Sequence, residues 1–209
     1  MTLFADRSAA GKQLAQALDH LSGDPVVVLG VPRGGVEVAA EVAAQHGWAL
    51  DIVVPRKIGA PQNPELGLGA IAPGVHVLDE RMLRTLGVSD EYLEGEIVAQ
   101  EAEIQRRSEA YRRGRPPVDV SGRTAVIVDD GIATGGTAIA AVRWARAQGA
   151  TRVVLAVPVA PREAVARLSE EADEVVCLDT PEPFYAVGQW YGDFPQTQDE
   201  QVIRLLERS

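Results

Sequence analysis

Apolar residues recur along this chain in two alternating patterns. Short, nearly unbroken runs occur at Val26-Val27-Val28-Leu29, Leu50 to Val54, Ala125-Val126-Ile127-Val128, Arg152 to Val157 and Glu174 to Leu178. Runs of this kind are strands covered on both faces. Between them lie stretches whose apolar residues stand three or four apart, the spacing of one helix face. Asp6 to Leu21 places Leu14, Leu18 and Leu21 on one side, with Asp6 or Ser8 as the cap. Val36 to His46, the stretch to Gly149 that carries Ile139, Val142 and Ala145, Arg162 to Glu170 and Asp199 to Glu207 complete the helices. Strand and helix in alternation predict a doubly wound α/β fold around a mostly parallel sheet, one domain spanning residues 1–209.

Three segments break this rhythm. Pro55 to Gly69 is rich in Gly and Pro and predicts a long functional loop, with Arg56 and Lys57 at its base. Ile71 and Val75 to Leu78 then form short strands around Pro73-Gly74. Residues from about 80 to 115 predict a helical insertion. In it a short helix ends at Gly87, and Ser89 caps a longer one. Leu93, Ile97, Ile104 and Tyr111 make a narrow stripe on the longer helix, and Glu103 with Arg107 and Glu109 with Arg113 have ion-pair spacing. This insertion packs on the sheet or on a second subunit. Its arginine cluster, Arg106 to Arg115, also fits nucleic acid, but the acids just upstream oppose that reading. The tail from about 179 to 197 is aromatic, with Phe184, Tyr185, Trp190, Tyr191 and Phe194. It forms either a satellite core or a cover for a flat ligand.

The chemistry concentrates where the strand Ala125–Val128 runs out. Two acids follow, Asp129 and Asp130, then small residues through Ala133, Thr134, Gly135, Gly136 and Thr137, then a helix. The glycines let backbone N–H groups approach a ligand, the threonines add donors, and the helix start favours an anion such as phosphate. Ionised carboxylates only accept hydrogen bonds, so Asp129 and Asp130 suit sugar hydroxyls or a divalent metal. Acids at one end and a phosphate cup at the other fit a sugar phosphate. A second strand-to-glycine-loop junction, Gly30-Val31-Pro32-Arg33-Gly34-Gly35, offers another anion cup with a guanidinium beside it. A bare turn with an exposed arginine is the alternative there. No lysine stands where a P-loop needs one, and no G-x-G-x-x-G occurs.

The segment VIVDDGIATGGT resembles the 5-phosphoribosyl-1-pyrophosphate (PRPP) motif of type I phosphoribosyltransferases. The resemblance implies that Asp129 and Asp130 contact the ribose 2- and 3-hydroxyls and that Ala133 to Thr137 wrap the 5-phosphate. It assigns pyrophosphate to Arg33, Gly34 and Gly35, in a loop that in this family sometimes contains an unusual cis peptide. It makes Pro55 to Gly69 a loop that closes over PRPP, with Arg56 and Lys57 neutralising the leaving group. Phe184-Tyr185-Ala186-Val187-Gly188 resembles the hood of purine phosphoribosyltransferases. On that comparison Tyr185 stacks on a base, with Phe184 as its rival, and Asp193 matches the later acid only with one inserted residue. The implied reaction transfers phosphoribosyl from PRPP to a nitrogenous base or other amine. The implied cofactor is Mg2+, held mainly by the substrate, and the implied assembly is a homo-oligomer. A PRPP- or nucleotide-binding regulator without transfer, and a hydrolase using the same cup, are the competing readings.

Composition narrows the setting. Apolar residues make up 46% of 209, enough for a substantial core. The lone cysteine, Cys177, allows no internal disulfide, and a reducing cytoplasm is the natural home. The first residues do not read as a secretory signal, and no apolar run nears the about 18 residues of a membrane span. A net charge of −10 disfavours general nucleic-acid binding, so any anionic ligand must meet local basic groups. His20, His46 and His76 stand apart from the loops singled out and read as structural.

Overall fold

The computed structural model describes residues 2–208, apart from the Glu65 side chain; Met1 and Ser209, the limits of the expected domain, lie outside the described residues. Five parallel strands form the central sheet. They are β1 (Val26–Gly30), β2 (Ala49–Ile52), β6 (Thr124–Val128), β7 (Arg152–Val159) and β8 (Glu174–Asp179), in the order β2-β1-β6-β7-β8. The register is unbroken across the middle, with Val28 beside Val126 and Gly30 beside Val128.

Alternate residues of each central strand feed opposite cores, because successive side chains point to opposite faces. Val26, Val28, Val126, Val128, Val154 and Ala156 face one layer. There they meet α1 (Arg7–Ala17), α2 (Gly34–His46), α4 (Asp90–Arg112) and α7 (Asp199–Glu207). Val27, Leu29, Ala125, Ile127, Val153 and Leu155 face α5 (Gly136–Ala147) and α6 (Arg162–Leu168). Both faces are covered, which is why these strands lack polar alternate positions. The first helix stops at Ala17, and a 3-10 turn, Asp19–Leu21, carries the rest of the expected stretch. Asp6 caps it, accepting from the Ala9 N–H at 2.7 Å.

The Gly- and Pro-rich stretch is not a loop. It forms β3 (Arg56–Ala60) and β4 (Asn63–Ala72), which with β5 (Val75–Leu78) make a separate antiparallel sheet. Ile58 and Leu68 are fully buried and Ala70 and Ala72 follow at strand spacing. The register shifts on either side of Gly59, and a side chain at Gly69 would run into the Val77 carbonyl. Glycine here serves close strand approach, which masked the strand period.

The insertion contains α3 (Glu80–Leu86), capped by Asp79, and α4, capped by Ser89. Ile104 and Tyr111 bury fully, Leu93 and Ile97 partly. Glu103 pairs with Arg107 at 2.6 Å and also with Arg106 at 2.7 Å. The expected Glu109–Arg113 pair does not form. Arg113 ends the helix in the left-handed conformation and reaches Glu207 of α7 at 3.2 Å. The arginines of this cluster thus largely face acids within the chain. His46 stacks on Trp48 with ring centroids 3.9 Å apart, a packing role. Among the described residues no helix is long and apolar enough to cross a membrane.

Candidate active site

β1 and β6 are neighbours, yet the chain leaves them in opposite directions. β1 returns through α2 to β2 on one side, and β6 returns through α5 to β7 on the other. A crevice opens between two such departing loops at the carboxyl edge of a sheet. Both glycine-bearing loops sit there.

Asp129 and Asp130 are the first residues beyond β6. Asp129 Oδ1 accepts the Asp130 N–H at 2.9 Å. Asp130 Oδ2 accepts from Arg7 Nε at 2.8 Å. Arg7 comes from the first turn of α1 and is only 6% exposed. It also donates from Nη1 to the Pro195 carbonyl at 2.7 Å, and its guanidinium lies 3.8 Å over the Phe194 ring. Glu37 of α2 stands 3.8 Å from Arg7 and accepts a short hydrogen bond from Thr197. The Tyr191 hydroxyl donates to the Asp130 carbonyl at 2.5 Å. Burial, then the neighbouring charge of Asp130, pushes the Asp129 carboxyl well above the ordinary range. Burial raises Asp130 as well, with the Arg7 hydrogen bond pulling against it.

The cup runs from Gly131 into α5. Gly135 takes φ +82°, which only glycine adopts freely, and α5 begins at Gly136. Ala133 and Thr134 are exposed, Gly136 and Thr137 half-buried, so the loop faces open space. The opening turn of α5 leaves N–H groups without intrahelical partners, aimed outward. In the other loop the Pro32–Arg33 peptide is cis, and α2 begins at Gly34. Arg33 is partly exposed and lies 3.6 Å from Asp199 of α7, a loose surface pair. A side chain on Gly34 would collide with the Asp130 carboxylate. One on Gly35 would sit 2.8 Å from both the Asp129 Cα and the Val128 carbonyl.

A cavity of about 650 Å³ opens beside the cup. Thr134, Gly136 and Thr137 form one wall, and Lys57, Arg81, Arg84 and Arg167 line the others. Strand alternation separates the two expected basic residues. Lys57 faces this cavity, while Arg56 turns to α4 and donates to Gln100 Oε1 at 2.8 Å. Burial, then repulsion from Arg107, lowers the Arg56 pKa.

Residues 6–189 match the family described as the phosphoribosyl transferase domain. The chain belongs to this family. A Mycobacterium tuberculosis protein named "Putative phosphoribosyl transferase" is 53% identical over 210 residues, covering all of this chain and 47% of its own length. The chain therefore spans about half the length of the curated relatives it matches. A Nocardioides uracil phosphoribosyltransferase is 31% identical over 139 residues, 62% of each protein. The crystal structure of TT1426 from Thermus thermophilus superposes with a TM-score of 0.84 at 48% identity, covering 100% of this chain and 99% of that one. A purine phosphoribosyltransferase from Pyrococcus horikoshii shares the fold, with a TM-score of 0.50 at 16% identity over 90% of each chain.

In this phosphoribosyl transferase domain the hood lies against the acid loop. Val187 packs so closely on Gly131 that a side chain there would meet it at 2.5 Å. Phe184 belongs to a satellite core with Phe4, Trp190 and Tyr191, its ring centroid 6.0 Å from that of Trp190. Tyr185 is 82% exposed, the hood ring left free of that core. Asp193 is exposed. Sequence reasoning missed Arg7, Tyr191 and Arg167. Arg7 reaches Asp130 across 123 positions and Tyr191 across 61, so no local pattern announces either contact.

Proposed function

We propose that this domain transfers the 5-phosphoribosyl group of PRPP to a nitrogen nucleophile and releases pyrophosphate. The observation that carries the proposal is the placement of Asp129 and Asp130 beside an open cup, residues 133–137, at the switch point of the sheet. In this reading the acids accept hydrogen bonds from the ribose hydroxyls and the cup holds the 5-phosphate. Arg33, Gly34 and Gly35 receive the pyrophosphate, with Lys57 facing it from the cavity. Arg56 would have to leave Gln100 to join them. Tyr185 is the ring assigned to stack on the acceptor, supported by its exposure and by the packing of Phe184 in the satellite core.

As the C1–oxygen bond breaks, its electron pair leaves with pyrophosphate and C1 gains oxocarbenium character. The acceptor nitrogen then bonds to C1 and sheds its proton. Nearby carboxylates stabilise positive charge at the ribose, and the cations stabilise the departing anion. No side chain need act as nucleophile. Among the described residues no three His, Cys, Asp or Glu side chains gather as a metal site. Magnesium commonly binds through one or two carboxylates plus substrate phosphates, and the Asp129–Asp130 pair offers such a donor set. When bound there with PRPP, it would supply charge neutralisation for the pyrophosphate. A reducing cytoplasm and a homodimer complete the proposal.

Calorimetric titration with magnesium and PRPP tests it, followed by a pyrophosphate-release screen over purine and pyrimidine bases. Saturable binding and release on one base are expected. Absence of PRPP binding would sink the reading. Binding without release on any base would favour the regulatory alternative.

A further inference from the structure

The cavity beside the cup is lined by four cations and two acids, a local excess of positive charge. Acids outnumber bases by 30 to 20 in the whole chain. Yet four cations, Lys57, Arg81, Arg84 and Arg167, line this one space. Among the described residues most arginines are tied to carboxylates or carbonyls, but Lys57, Arg81 and Arg167 have no such partner. The acids on the same wall are engaged: Asp79 caps α3 and Glu80 pairs with Arg84 at 3.7 Å. Arg167 reaches the cup from α6, its Nη2 lying 3.1 Å from where a side chain on Gly135 would begin. Asp129 and Asp130 are not among the residues lining this cavity, so the cations gather beside the cup and apart from the acid pair.

We infer that this cavity is a subsite for phosphates attached beyond the 5-phosphate, so that the domain binds nucleoside 5′-triphosphates in place of PRPP. The inference rests on reading residues 133–137 as a 5-phosphate cup. The ribose of the nucleotide lies on Asp129 and Asp130 and its α-phosphate in the cup. The β- and γ-phosphates extend toward Arg81 and Arg167, where guanidinium groups form paired, charge-assisted hydrogen bonds. PRPP has only one phosphate at its 5 position; its pyrophosphate, on the Arg33 loop, engages Lys57 alone of these cations and leaves Arg81 without a phosphate. The two ligands compete for the cup.

The test compares AMP with ATP and UMP with UTP by calorimetry, alongside PRPP, at fixed magnesium and low salt. In the unaltered protein each triphosphate should bind about tenfold or more tightly than its monophosphate, an advantage that salt erodes. In Arg81→Ala, a site that is exposed and stands away from the cup residues, that advantage should fall at least about threefold while monophosphate and PRPP affinities move less than about twofold. Equal affinity for mono- and triphosphates in the unaltered protein, with PRPP still bound, would overturn the subsite and leave the transferase reading standing. An advantage that survives Arg81→Ala undiminished, or a uniform loss for all ligands including PRPP, would equally overturn it. If neither PRPP nor any nucleotide binds, the cup itself is misread.

Discussion

The two glycine loops at the carboxyl edge look alike in sequence and differ in what their glycines are for. Gly34 and Gly35 follow β1 and are pressed against the acids, with the Asp129 Cα only 2.8 Å from a side chain on Gly35. Gly136 follows β6 and has nothing within 4 Å of its side-chain position. Gly34 and Gly35 are glycine where protein fills the space; Gly136 leaves its space unfilled, although Gly131 earlier in that loop is packed by Val187. A strand-glycine-helix signature therefore has two physical origins, close packing against neighbouring backbone and open space at a helix start. The first loop positions the acids, and its sole projecting cation is Arg33.

The sharpest way to break the packed side of this comparison is to remove Arg7. Its side chain is 7% exposed and that of Asp130 is 16% exposed, so the pair is shielded from water. Arg7→Ala leaves the Asp130 carboxylate buried without its cation, and about 3–5 kcal/mol of stability should be lost. Denaturant unfolding measures this. The double variant Arg7→Ala/Asp130→Asn should recover much of the loss, because it removes the stranded charge. If Arg7→Ala alone unfolds at the original midpoint, the Arg7 contacts do not hold the acid loop.

Asp129→Asn separates stability from function at the same place. The Asp129 pKa is raised in the fold, so the folded state favours the neutral carboxyl. The stability this implies is fully present below the unfolded value, near about 3.9, and is lost as pH rises through the folded pKa. At neutral pH the ionised group is a burden, and Asn, always neutral, should raise stability by about 1 kcal/mol. On the proposed function, turnover should fall on the order of 10²-fold, since the carboxylate assigned to the ribose is gone. The stability gain should vanish when unfolding is repeated at low pH. A gain that persists unchanged there would refute burial of charge as its cause.

Local chemistry explains what is legible in the sequence. The all-apolar strands, the acids and the cup lie within one continuous stretch, and each local choice points to the same strand-loop-helix unit. The cis peptide at Pro32–Arg33 stands where the family resemblance places such a bond. What was hidden is non-local or disguised. Leu66, Leu68, Ala70 and Ala72 alternate properly, but Gly67 and Gly69 between them read as loop until Val77 is seen lying against Gly69. Arg56 and Lys57 are adjacent in sequence, yet a strand sends them to opposite sides, one to α4 and one to the cavity. Arg7 reads as an ordinary helix-start residue, because its partners are Asp130, Phe194 and Pro195.

Placing one methyl group in each loop tests the comparison most directly. In Gly35→Ala the new carbon must displace the backbone at Val128 and Asp129, which cannot swing aside as a side-chain tip can. Overpacking of this kind costs about 1–3 kcal/mol, and the acids should shift with it, so both the unfolding midpoint and PRPP affinity fall. In Gly136→Ala the methyl meets no protein atom and sits at the start of α5, where alanine is the better helix former. Stability should hold within about 0.5 kcal/mol or rise slightly. The methyl nevertheless enters the space assigned to the 5-phosphate, and PRPP affinity should drop about tenfold, or about 1.4 kcal/mol. Unfolding midpoints and PRPP titrations on the two variants separate the cases. Equal stability losses would mean both loops are packed alike. Undiminished PRPP binding in Gly136→Ala would mean the phosphate does not rest on that turn, since a methyl group there could not otherwise pass unnoticed.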